Sequence, residues 1–190
     1  GWTMATLEKA ALSLGLTAID VKRAFPAGVA SAVGHFSARA DAQMLATLAS
    51  DCDLPAMKSR ERIATCVMVR LRANIHHREA VRRALGFYAM PWNAGHGLTA
   101  LYATVDAMWR AAGDTATDYN FYTKRALLAG VFTSTVHVWL DDASDELTET
   151  ESFLRRRIEN VMQIEKVKAK ARDGLGNMES WVPCFMRKKA

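Results

Sequence analysis

Ligand-type side chains crowd together at His76-His77-Arg78-Glu79, and two carboxylates stand four apart at Asp114 and Asp118. The first group has the residue types of a metal site, and the second those of a paired acid and base. Neither spacing fits the chemistry. Adjacent residues on a helix do not share a face, so the histidines diverge, and one of them reads as a helix cap. Asp114 and Asp118 flank a helix start, where helix capping accounts for both. A di-iron centre in a helical bundle draws on Glu-x-x-His pairs whose members point inward together. No Glu or Asp in this chain is followed by His three positions later. There is no glycine-rich phosphate loop and no G-x-S-x-G elbow, and His35, His96 and His137 stand alone. Cys52, Cys66 and Cys184 lack CxxC spacing, which argues against structural zinc and for a reducing compartment. With no nucleophile, base and orienting group in sight, a binding protein without a cofactor is expected. An enzyme of unfamiliar chemistry stays as an alternative.

The elements that would position any site all read as helix, with no alternating strand pattern bounded by turns. The expected fold class is therefore all-α. Thr3 and Thr17 are capping signals for two short helices on either side of Gly15, the second stopped by Pro26. Such a pair has helix-turn-helix spacing. A DNA-reading second helix presents several basic or amide side chains, whereas this one offers Asp20, Lys22 and Arg23. No nucleic-acid partner is expected, although a ligand-responsive regulator remains the alternative function. Longer helices follow over 28–50, 59–75 with Ser59 as its cap, 77–89, the stretch ending at Gly113, and 118–140. Gly113 suits the left-handed position that closes a helix; Thr115, Thr117 and Asp118 are credible caps for the next. Arg60, Arg62, Arg70 and Arg72 lie off the apolar stripe of their helix and read as a solvated face. Ala126, Gly130 and Ser134 form a small-residue stripe suited to close helix approach, within the fold or at a dimer face. The acidic pair Asp141 and Asp142 is disfavoured at a helix C-terminus, so that helix should end before it.

Charge is unevenly spread. Residues 58–83 hold eight basic groups against two acidic, residues 104–151 three against nine, and residues 152–190 ten against four. The last block ends in Leu175, Met178, Trp181, Val182, Phe185 and Met186, followed by Arg187, Lys188 and Lys189. Bulky apolar groups beside a basic end resemble an interfacial membrane anchor. Gly174, Gly176 and Pro183 argue against one regular helix there. No 18-residue uncharged run spans a membrane.

One long stretch carries a family likeness. Ala112-Gly113-Asp114-Thr115-Ala116-Thr117-Asp118, Phe121-Tyr122-Thr123-Lys124-Arg125-Ala126, Leu140-Asp141-Asp142 and Phe153-Leu154-x-x-Arg157-Ile158 resemble the ubiquinone-biosynthesis accessory family of coenzyme Q pathways (the ninth Coq protein and its bacterial homologues). Gly1-Trp2, His77-Arg78-Glu79-Ala80, Pro91-x-Asn93 and Val105-Asp106-x-Met108-Trp109 add to it, and the likeness covers roughly residues 1–165.

The resemblance implies a fold like the TetR regulators, with a vestigial helix-turn-helix over 1–27, a helical lipid-binding domain over 28–165 and a basic amphipathic tail over 166–190. It implies a homodimer without enzymatic activity. Such a protein binds an isoprenoid or quinone lipid and presents it from the membrane surface to the di-iron demethoxyubiquinone hydroxylase. The family's partner patch maps onto Asp106, Met108, Phe121 and Tyr122, with Phe121 where animal members commonly have Trp. Inward-facing Phe87, Leu101, Val105, Trp109, Leu128, Phe132 and Val136 are the expected lipid contacts. The expected location is peripheral on the bacterial inner membrane from the cytoplasmic side, or the matrix face in a mitochondrion.

Overall fold

The computed structural model describes residues 1–115 and 119–179. Thr117 and Asp118, expected as caps, lie outside the described residues. So do Trp181, Val182, Phe185, Met186, Arg187, Lys188 and Lys189 of the expected membrane contact, and the side chains of Leu175 and Met178. Among the described residues the chain is all-α, with no strand.

Helix α1 (Met4–Ser13) starts where Thr3 Oγ1 accepts from the Thr6 N–H at 3.2 Å. It stops before Gly15, whose φ of 74° no other residue adopts as cheaply. Helix α2 (Ala18–Ala24) opens on a reciprocal cap: Thr17 Oγ1 accepts from Asp20 N–H, and the Asp20 carboxylate accepts from Thr17 N–H at 2.8 Å. The flanking residues Trp2 and Phe25 set their rings 5.3 and 6.1 Å from Phe36 and His35 of α3 (Val29–Asp51), whose Val33, Met44 and Leu48 are buried.

Helix α4 (Ser59–Arg72) is central. It buries Ile63, Cys66, Val67 and Leu71 against α3, α6 and α8. Its cap is Lys58 and not Ser59: the Glu61 carboxylate reaches back to the Lys58 N–H, so the helix takes in Ser59 as its first residue. The solvated-face reading of its arginines fails at two positions. Arg70 is buried and donates from Nε to Asp41 at 2.5 Å. Arg62 donates to the carbonyls of Met57, Ala112 and Pro55. Asp41 for Arg70 and Ala112 for Arg62 come from distant parts of the chain, which periodicity within one helix does not reveal.

Helices α5 (Arg78–Tyr88), α6 (Ala94–Ala111), α7 (Tyr119–Asp141) and α8 (Thr148–Glu179) complete the bundle. Contrary to expectation, α7 continues through Asp141. The Arg82 guanidinium, 2.8 Å from Asp141 Oδ1, offsets the carboxylate at the negative end of the helix. Asp142 is buried between α7 and α8. One of its oxygens accepts from the Ser144 N–H and hydroxyl, the other from the Thr150 N–H and hydroxyl. Helix α8 passes through Gly174 and Gly176 without a break, so two glycines do not end it. Gly130 is exposed, and among the described residues nothing lies within 4 Å of where its Cβ would be, so it serves no close helix approach there.

Candidate functional site

Val81, Ala84, Leu85 and Tyr88 recur at intervals of three and four, which places them on one face of α5. That face does not close fully on its neighbours. Between α5, α6 and α7, with Val33 and Phe36 of α3 and Leu71 of α4 behind, lies a cavity of about 440 Å³. Its walls are mainly apolar, and its volume falls among small-molecule pockets of about 300–1,000 Å³. Leu98, 68% exposed, belongs to its lining and carries it to the surface. Exposed Met90 and Trp92 lie on the connection between α5 and α6.

The few polar groups in the lining are mostly answered by protein. Arg70 is held by Asp41 and by the Ser37 carbonyl and hydroxyl. Thr104 donates to the Asp41 carboxylate at 3.0 Å. Tyr88 is held against α6 by Gly97, where a Cβ would come within 2.9 Å of the tyrosine Cβ. Burial raises the Tyr88 phenol above its ordinary pKa, so it stays protonated at neutral pH.

Of the expected lipid contacts, Leu101, Phe132 and Val136 line this cavity. Trp109 and Leu128 instead line a second apolar cavity of about 470 Å³ between α4, α6, α7 and α8, with Ile63, Val131 and Val161. Val105 is packed solidly in the core. Phe87 lines neither cavity. It sits edge-on to Tyr88 with ring centroids 5.8 Å apart, because the next residue on a helix is turned about 100° away. Phe36, Leu85, Tyr88, Gly97 and Trp139 of the lining were not among the expected lipid contacts. The Val81–Leu85–Tyr88 stripe was the signal for the α5 wall.

The α6–α7 corner is built on charge. Gly113 closes α6 at φ 86°. Buried Arg125 donates from Nε to Asp106 Oδ1 at 2.7 Å and lies 3.3 Å from Asp114 Oδ2. Lys124 Nζ meets the other Asp114 oxygen at 2.6 Å. Asp114 is thus an ion-pair partner of both cations. Asp106 also holds Arg110 at 2.7 Å. The Arg125 guanidinium lies 3.4 Å from the Phe121 ring centroid, and Phe121 meets Tyr122 edge-on at 5.1 Å.

The expectation of four exposed contacts is therefore corrected. Met108 is 0% exposed. It lies two residues from Asp106, about 200° around the helix, on the buried stripe with Val105. The Asp106 carboxylate is occupied by two arginines, and Phe121 is half-buried. Tyr122, 67% exposed, is the member that stands free on the surface.

The family model described as COQ9 matches residues 94–165. Residues 94–165 form a COQ9 domain. It comprises α6, α7 and the first half of α8, so it supplies the whole corner and one side of the first cavity. The other wall, from α3 to α5, precedes it. Sequence likeness extends beyond the domain. The rat protein "Ubiquinone biosynthesis protein COQ9, mitochondrial" is 33% identical over 170 residues, covering 86% of this chain and 54% of the rat protein. The human protein of the same name is 31% identical over 170 residues, covering 86% of this chain and 53% of the human protein. The chain spans about half the length of the curated relatives it matches. Among solved structures, a TetR transcriptional regulator from Nitrosomonas europaea superposes with a TM-score of 0.65 at 20% identity, covering 80% of this chain and 83% of the regulator. The COQ9 domain is thus part of a TetR-like all-α fold.

Burial raises Cys66 to about 11, with Cys52 adding to the effect, so its thiol is not a nucleophile at neutral pH. Among the described residues, no group of three His, Cys, Asp or Glu is placed to hold a metal ion.

Proposed function

We propose that this chain is a non-catalytic lipid-binding component of ubiquinone biosynthesis. It encloses the isoprenoid or quinone end of a biosynthetic intermediate in the cavity between α5, α6 and α7. The observation that carries this reading is the apolar cavity of about 440 Å³, walled on one side by the COQ9 domain. The names of the rat and human relatives supply the pathway. The receiving enzyme is the di-iron demethoxyubiquinone hydroxylase, docking at the α6–α7 corner around Tyr122. The chain works as a homodimer at a membrane surface, the bacterial inner membrane or the matrix face of the mitochondrial one, reached through its basic C-terminal tail. No helix among the described residues is long and apolar enough to cross a membrane, which suits a peripheral attachment.

Lipid extraction of a native preparation, followed by mass spectrometry, tests the central claim. A co-purifying isoprenoid or quinone is expected. Recovery of none, together with no uptake of an added isoprenoid, would overturn it. A gel shift on the chain's own upstream DNA addresses the regulator alternative: salt-sensitive, sequence-specific binding would put that reading first.

A further inference from the structure

Two polar atoms in the wall of the first cavity have no hydrogen-bond partner among the described residues: the Tyr88 hydroxyl and the Trp139 indole nitrogen. Tyr88 ends α5, Trp139 lies near the end of α7, and both residues line the cavity. Buried polar atoms without partners are rare in folded proteins and destabilise them. Here one occurs on each side of a mainly apolar chamber, Tyr88 on α5 and Trp139 on α7, while Arg70 and Thr104 of the lining are already answered by Asp41 and Ser37.

We propose that this lining selects ligands carrying an oxygen acceptor, a quinone or ester carbonyl, which receives a hydrogen bond from the Tyr88 hydroxyl or the Trp139 N–H. This rests on the lipid-pocket reading above and adds the end of the ligand that goes in first. The chemistry of the two groups sets the ligand class. An indole N–H can only donate. The phenol is held protonated by its burial, so it too offers a proton. A carbonyl oxygen can accept from either, whereas an ammonium cannot accept from the indole N–H and a bare hydrocarbon satisfies neither. Both polar atoms lie beneath the cavity surface, so a ligand oxygen engages either one only as the side chains covering it shift. The rest of the lining is apolar and suits the chain that follows the carbonyl.

The test compares two probes with the same tail, 2-geranyl-1,4-benzoquinone and geranylbenzene, titrated against the full chain by native mass spectrometry. The readout is the ratio of their affinities, which cancels differences in general packing. In Tyr88→Phe that ratio is expected to fall about three- to tenfold, the range of a single hydrogen bond, with geranylbenzene binding unchanged. Trp139→Phe should show the same pattern. If that larger change disturbs folding, Tyr88→Phe, which removes a single oxygen atom, still decides the matter. An unchanged ratio in Tyr88→Phe overturns the acceptor proposal and leaves the pocket reading standing. Binding of neither probe to the unaltered chain overturns both.

Discussion

Gly97 lets the Tyr88 ring rest directly on α6: a Cβ at position 97 would stand 2.9 Å from Tyr88 Cβ and 3.0 Å from its Cγ. The Cβ is fixed to the backbone of α5 and cannot swing aside, so the helices themselves must part. Gly97→Ala is therefore expected to lower the Tm and weaken cavity binding, although Ala is worth up to about 1 kcal/mol over Gly in a helix interior. Gly86 on α5 has nothing within 4 Å of its Cβ position. Gly86→Ala should raise stability by about 0.5–1 kcal/mol. Thermal melts of the two variants check both signs; equal shifts would contradict the packing argument.

Asp142 makes stability depend on acid. Burial by itself would raise its pKa, but the combined hydrogen bonds from the hydroxyls and N–H groups of Ser144 and Thr150 bring it down to about 2. A carboxyl depressed in the folded state contributes its stabilisation above the unfolded pKa of about 3.9 and loses it as pH falls toward 2. The amount is about 2 kcal/mol. Urea unfolding between pH 5 and pH 2 should show that loss, and Asp142→Asn should flatten the profile in the same window.

How much of this was legible in the sequence follows from the range of each interaction. Thr3, Thr17 and Gly113 were readable because a cap or a left-handed stop is decided within four residues of chain. The Arg70–Asp41 pair spans 29 positions and the Arg62–Ala112 contact 50, so both arginines looked like members of a solvated face. Asp142 looked misplaced at a helix end because the groups that solvate it, Ser144 and Thr150, belong to the next turn and helix. The cavity was half readable. Phe132 and Val136 declared themselves by spacing, while Tyr88 and Gly97 matter through a helix contact that only the fold creates. Met108 was assigned to a surface by resemblance although its own stripe with Leu101 and Val105 pointed inward.

Arg125 is the keystone of the corner. It is 3% exposed and faces both Asp106 and Asp114. Removing one partner from a buried ion pair costs about 3–5 kcal/mol. Arg110 and Lys124 still serve the two carboxylates, so Arg125→Met is expected at the lower end, about 3 kcal/mol by denaturant titration. An effect below about 1 kcal/mol, the surface-pair range, would mean that the network is wetter than its geometry implies.

Tyr122 and Phe121 should separate docking from folding. Tyr122→Ala is expected to leave stability within about 0.5 kcal/mol while weakening hydroxylase pull-down by about 2 kcal/mol, the scale of an interface anchor. Phe121→Ala also loses the stack with Arg125 and its half-buried ring, so it should cost about 1–2 kcal/mol of stability. Pull-down unchanged by Tyr122→Ala would remove the corner as the docking site.

The tail is expected to contribute membrane attachment. Deleting residues 174–190 removes Arg187, Lys188 and Lys189, each worth about 1 kcal/mol near an anionic surface. Co-sedimentation with phosphatidylglycerol vesicles should fall at low salt, and the unaltered chain should lose binding as salt rises. Equal sedimentation of the two forms would refute the anchor.

The corner itself is pinned from below. Trp109 Nε1 donates to the Lys124 carbonyl at 3.1 Å, Arg62 donates to the Ala112 carbonyl at 3.1 Å, and Arg125 and Lys124 clasp Asp106 and Asp114. Each of these pins joins α6 or its end to α7 or α4. Together they couple the two helices, so that a displacement of α6 is carried to Tyr122 through the same contacts that hold the corner.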